Sequence, residues 1–163
     1  MRDFRQYFGE HLDHDAALFF MTFSRIEFAL KRGGFVKGVE GRTAEPDWDK
    51  FARALGRDLY KELTEAPEAK NFRDQPPRRL VKKANEVEFV QSDDIKNLQM
   101  LFEAVRLVRN NLFHGEKPYI QDRDRDLIKA SMFVLDRALN ACDETEGCKQ
   151  VSEAFMRGLV EGY

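Results

Sequence analysis

Arg106-Leu107-Val108-Arg109-Asn110-Asn111-Leu112-Phe113-His114-Gly115 is the stretch whose reading decides the fold. Taken as a helix from about Ile95, at about 100° per residue, its apolar residues collect on one face. Leu98, Leu101, Phe102, Val105, Val108 and Leu112 recur at the i, i+3, i+4, i+7 spacing of a core stripe. Arg109 lies inside that stripe, three residues before Leu112 and four after Val105. A guanidinium keeps its proton in a protein, and an unpaired buried charge is costly. Arg109 is therefore expected to reach out of the bundle or to meet an acid or an anion. Gly115 supplies a helix stop, which puts His114 at the mouth of the helix with Asn110 four residues before it.

Working outward, the preceding polar group Ser92-Asp93-Asp94 is expected to open this helix, and Lys117-Pro118 to prevent its continuation. Upstream, Ala16 to Arg32 is the most apolar segment. Leu18, Phe19, Phe20, Met21, Phe23, Ile26, Phe28 and Leu30 cover nearly its whole circumference, so it is central in a bundle or meets a second chain. Gly33-Gly34 ends it. Arg25 and Glu27 interrupt the apolar run. Either both snorkel at the edge of the packed face, or Glu27 pairs with Arg109 and sets its direction.

Phe35 to Asp47 reads as a loop, and Asp47 as the cap of a helix from Trp48 to about Leu63. That helix has a stripe of Trp48, Phe51, Ala52, Leu55, Leu59 and Leu63. Its opposite face carries Lys50, Arg53, Arg57 and Lys61, read first as solvated and second as a guide for a phosphate backbone. Pro67, Pro76 and Pro77 exclude one continuous helix from Thr64 to Gln91, where Val87 to Val90 is a candidate extended piece. Arg73, Arg78, Arg79, Lys82 and Lys83 make this connector the densest basic patch of the chain. It is either a solvated connector or an arm that contacts RNA phosphates. Asp122 to Cys142 gives a further helix, and Gln150 to Val160 a shorter amphipathic one.

The whole chain, 1–163, reads as one all-α domain, an up-and-down four-helix bundle with a core over about 16–142 and a helical extension over 143–163. Fourteen phenylalanines predict an aromatic-rich core. A net charge of −2 excludes bulk electrostatic binding of nucleic acid, so any such contact is local. Cys142 and Cys148 are too few for a disulfide framework and read as a core residue and a loop thiol. His11 and His14 stand three apart, a spacing metal ligands can have, but no third soft ligand follows; a helix start capped by Asp13 or Asp15 is preferred. No signal peptide or membrane span is read, which makes the cytoplasm the default location.

The run Arg109-Asn110-Asn111-Leu112-Phe113-His114 resembles the signature of the HEPN superfamily, an Arg, usually a polar residue, then a few positions and a His. Phe23-Ser24-Arg25-Ile26-Glu27-Phe28-Ala29-Leu30-Lys31 is similar to the first helix of several HEPN groups. The resemblance covers about Ala16 to Leu139. It implies a metal-independent endoribonuclease with Arg109, Asn110 and His114 as catalytic residues and no cofactor. It implies also a homodimer whose two motifs meet in one cleft. Such proteins act as toxins, in defence against phage or in RNA processing, some with a neutralising protein partner. Where certain HEPN toxins carry a modified Tyr two residues after the His, this chain has Glu116, so that regulation is not carried over.

The residue types suit that chemistry. A His titrating near neutrality can take a proton from a 2′-hydroxyl or give one to the departing 5′-oxygen. An Arg fork matches phosphate oxygens, and an Asn can orient either. Arg109 and His114 stand five positions apart, about 140° around an ideal helix, so one phosphate needs a distorted last turn or two copies of the motif. Met100, Leu107 and His114 are spaced by sevens opposite the core stripe, a thin seam read either as a dimer face or as ordinary exposed residues. The alternatives are a non-catalytic module binding nucleotide, RNA or protein, and a structural domain in which Arg109 is an ion-pair residue.

Overall fold

The computed structural model describes residues 12–113 and 120–160. Helix α1 (His14–Arg32) starts where Asp13 caps it, the Ala16 amide donating to Asp13 Oδ1 at 3.0 Å. It stops at Gly33, whose N–H donates to the Ala29 carbonyl, with Gly34 following at φ 86°. The expected loop then closes on a two-residue antiparallel ladder, β1 (Val36–Lys37) with β2 (Glu45–Pro46). Asp47 caps α2 (Trp48–Glu65) by accepting from the Lys50 amide at 2.9 Å. A 3-10 turn (Pro67–Ala69) and the short α3 (Lys70–Asp74) follow.

The connector holds more order than its prolines suggested. Residues Arg79–Lys83 (β3) and Glu86–Val90 (β4) form an antiparallel hairpin in the register Arg79↔Val90 to Lys83↔Glu86. Three of the five basic connector residues therefore sit on a strand. Helix α4 (Leu98–Phe113) carries the motif, and α5 (Asp122–Glu144) and α6 (Lys149–Val160) complete the chain. α4 begins later than expected. Its cap is Asn97, whose Oδ1 accepts from the Met100 amide at 2.8 Å, not the Ser92-Asp93-Asp94 group. Two side-chain bonds hold the approach out of helical form: Ser92 Oγ donates to the Pro77 carbonyl, and Tyr60 Oη donates to the Ile95 carbonyl at 2.7 Å.

The core is aromatic-rich, as the composition predicts. Phe23 stacks on Trp48 at 5.4 Å, Trp48 meets Phe102 at 5.3 Å, and Phe102 stacks on Phe51 at 5.6 Å. Around this column lie Phe19, Ile26, Leu30, Leu63, Leu101, Val105, Ile128, Val134 and Leu135, all fully buried. Each such side chain contributes about 1.5–3 kcal/mol by leaving water. α1 packs on α5 and α6, and α2 packs on α4. The last helix belongs to the core and is not an appendage, because Val151 and Ala154 are buried. Gly33 lets it approach: a Cβ there would stand 2.5 Å from Val151 Cγ2 and 3.0 Å from the Val151 backbone nitrogen.

Cys148, expected as a loop thiol, is as buried as Cys142, since its turn folds under the start of α6. Both are free thiols. Burial, with Cys148 and Asp143 nearby, pushes the Cys142 thiol up to about 12. Among the described residues no helix is long and apolar enough to cross a membrane.

Candidate functional site

The stripe of α4 places the candidate site. Leu98, Leu101, Phe102, Val105 and Val108 are buried and Leu112 is half-buried. That packing fixes the rotation of the helix, and with it the direction of Arg109, which is half-buried beside α1. Its guanidinium carbon lies over three rings, 5.8 Å from Phe20, 5.8 Å from Phe23 and 5.9 Å from Phe113. All three are within the range at which a cation is attracted to an aromatic quadrupole. Nη1 donates to Asn110 Oδ1 at 3.1 Å. Nε is buried with no hydrogen-bond partner.

Among the described residues, the partner of Arg109 is thus an aromatic cage rather than an acid. Glu27 is half-buried on α1 and forms no ion pair among the described residues, which favours the snorkelling reading. Arg25 also departs from a free surface cation. Its Nε and Nη2 donate to the Phe155 and Ala154 carbonyls, clamping α1 to α6. Met21 is 69% exposed, Phe113 43% and Phe20 38%, and Phe20 and Phe113 meet at 4.6 Å. Two of the three cage rings therefore present apolar surface to solvent.

Asn110 is exposed, and its side-chain oxygen accepts from Arg109. His114, the third member of the expected constellation, lies outside the described residues, as do His11, Gly115, Glu116, Lys117, Pro118 and Tyr119.

Sequence reasoning passed over Asn111. It is buried, and its Nδ2 donates to the Arg78 carbonyl at 2.7 Å. A signal was present: Asn111 follows Ala104 by seven residues at the edge of the stripe, and a buried amide there needs a partner. This bond ties the base of the hairpin to α4. Arg123 secures the same loop from α5, its Nη2 donating to the Pro76 carbonyl at 2.8 Å.

The basic patch divides accordingly. Arg78 and Arg79 are exposed beside α4, and Arg79 lines a cleft of about 80 Å³ with Pro76, Ser92, Met100, Glu103 and Leu107. Arg73 is exposed on α3. Lys82 and Lys83 project along the hairpin toward its turn, and Lys83 is paired with Glu88 at 2.7 Å. Asn111 and Arg109 differ by two positions, about 200° on the helix, so the arm docks across α4 from the cage. Met100 and Leu107 are half-buried against the hairpin base, so this chain itself covers part of the seam.

On the remaining basic face, Lys50 donates to the Gly34 carbonyl at 3.0 Å, a structural task, while Arg53 and Arg57 stay exposed. Among the described residues no group of three His, Cys, Asp or Glu side chains is placed to hold a metal ion. A scan against protein-family models finds no match, and searches of curated proteins and of solved structures find no relative.

Proposed function

We propose that the chain is a metal-independent endoribonuclease of HEPN type, a helical bundle that cleaves RNA by 2′-hydroxyl attack at a site composed from two copies of the chain. The observation that carries the reading is the state of Arg109. It is a permanent cation, held by three rings at the end of α4, with one hydrogen bond and no carboxylate counterion among the described residues. Such a group is available to an incoming phosphate, and its surroundings strengthen the attraction by excluding water. In this reading Arg109 and Asn110 hold the non-bridging oxygens, and His114, next in sequence after Phe113, moves the proton. The exposed apolar surface of Phe20 and Phe113 supports a second copy meeting the first beside the cage. Arg78 and Arg79, docked on the same helix, serve as the phosphate-contacting arm; Arg73, Lys82 and Lys83 lie further out. A toxin or phage-defence setting, with or without a neutralising protein, belongs to the same proposal.

The second reading is a non-catalytic module that binds nucleotide, RNA or a protein. The buried, unpartnered Nε favours it, because a cage can retain an Arg for packing alone. A cleavage assay separates the two. A mixed RNA pool is incubated with the chain in chelator, comparing wild type with His114→Ala and Arg109→Met, and product ends are mapped. The ribonuclease reading expects 2′,3′-cyclic phosphate ends from wild type and none from either variant. Cleavage by His114→Ala at the wild-type rate would refute it. A folded wild type that binds the pool and leaves it intact would establish the binding module.

A further inference from the structure

α2 does not run unbroken. At Gly56 the backbone takes φ 85° and ψ −178°, a combination open essentially to glycine alone. The break borders a cavity of about 380 Å³, walled by Arg53, Gly56, Arg57 and Tyr60 from α2 and by Lys96 and Asn97 from the approach to α4. That volume lies in the range of small-ligand sites. Three cations line it and no carboxylate does. None of the three forms an ion pair with a described residue. Converging like charges repel one another, so an anion among them relieves repulsion as well as adding attraction.

The opposite wall has the same sign. Leu98 and Gln99, the first residues of α4, line the cavity. Amides in a first helical turn have no partner inside the helix and carry its positive end. The Asn97 side chain takes the Met100 amide and its carbonyl the Leu101 amide, which leaves the Leu98 and Gln99 amides at the cavity wall. The Tyr60 hydroxyl, by donating to Ile95, holds this approach segment in place, so the wall is pre-formed.

We propose that this cavity is a binding site for a phosphate ester, with Arg53, Arg57 and Lys96 as its ligands. Two arginine forks and an ammonium suit a mono- or diphosphate group. The phosphate belongs either to a free nucleotide or to an RNA strand. Leu98 and Arg109 are eleven residues apart, about 16 Å along the helix, so this site is separate from the aromatic cage and does not rest on the ribonuclease reading.

The test is isothermal titration of the full chain with three probes: inorganic pyrophosphate, ADP and a short oligoribonucleotide. Wild type is compared with the double variant Arg53→Ala/Arg57→Ala, with Lys96→Ala, and with Lys129→Ala, an exposed residue of α5, as the control away from the cavity. The substituted cavity residues are exposed or on a loop, and circular dichroism verifies that each variant is folded. The expected result is binding of pyrophosphate that weakens at least tenfold in the double variant, weakens severalfold in Lys96→Ala and stays within twofold in Lys129→Ala. The same pattern with ADP assigns the source to free nucleotides; the same pattern with the oligoribonucleotide alone of those two assigns it to a strand. No binding of any probe at millimolar concentration, or binding unchanged in the double variant, overturns the proposal.

Discussion

Replacing Arg109 by Met separates the charge of this side chain from its packing. In the folded protein the guanidinium faces three rings at 5.8–5.9 Å. Such contacts contribute about 0.5–1 kcal/mol each at partly exposed sites, so about 1.5–3 kcal/mol together. Against this stands the buried, unpartnered Nε, whose desolvation costs about 1–3 kcal/mol. The two nearly cancel. Met keeps an unbranched apolar stem against the rings, adds a favourable sulfur–aromatic contact and removes the stranded N–H. Arg109→Met is therefore expected to change stability by less than about 1 kcal/mol. Arg109→Ala removes the stem too and leaves Phe20, Phe23 and Phe113 underpacked, with a loss of about 2–3 kcal/mol. Urea unfolding followed by tryptophan fluorescence suits the comparison. Trp48 is the only tryptophan, it is buried, and it stacks on Phe23, which borders the guanidinium. A loss above about 3 kcal/mol in Arg109→Met would refute the reasoning, because the charge itself would then hold the fold. Near-wild-type stability with lost RNA cleavage or binding is the outcome the site argument requires.

Three further outcomes follow from particular contacts. Gly33→Ala forces a Cβ into Val151 and its backbone, and should lower stability by about 1–3 kcal/mol in the same urea assay; an unchanged midpoint would mean that α6 shifts freely. Asn111→Ala removes the bond to the Arg78 carbonyl, and should cost about 1–2 kcal/mol while hydrogen exchange of the hairpin amides, Arg79–Lys83 and Glu86–Val90, speeds up selectively. Unaltered hairpin protection would show that the bonds from Arg123 and Ser92 suffice to hold the arm. The Cys142 thiol keeps its proton in the folded state up to about 12, while in the unfolded chain it releases it near 9. The unfolded state then binds fewer protons, so stability falls as pH rises from 9 toward 12, by about 1.4 kcal/mol per pH unit for this group. Cys142→Ala should show a shallower fall, and an identical slope in both proteins would contradict the assignment.

Helices announced themselves through short-range pattern. The 3.6-residue recurrence of Leu98 to Leu112 and of Trp48 to Leu63 placed two helices and their buried faces, because the sorting of apolar from polar residues is local to each segment. Asp13, Asp47 and Gly33 were legible as caps and stop for the same reason: the groups they bond lie within four residues. Arg109 was legible as an anomaly, a charge inside an apolar stripe.

Its resolution was not legible, because the rings that surround it come from α1, some ninety residues earlier, and from the next turn of α4. Nothing in the order of residues ranks a cation–π cage above a carboxylate such as Glu27. Likewise the onset of α4 looked three to six residues earlier, since Ser92 and Asp93 are good caps; bonds to Pro77 and from Tyr60 decided against them. The bond from Asn111 to Arg78 spans 33 positions, and the hairpin that it holds covers Met100 and Leu107. The sequence by itself determined the helical class, the stripes and the suspect residues, all set by local periodicity. Only the tertiary structure decided which side chains meet, because those contacts depend on how the bundle brings distant segments together.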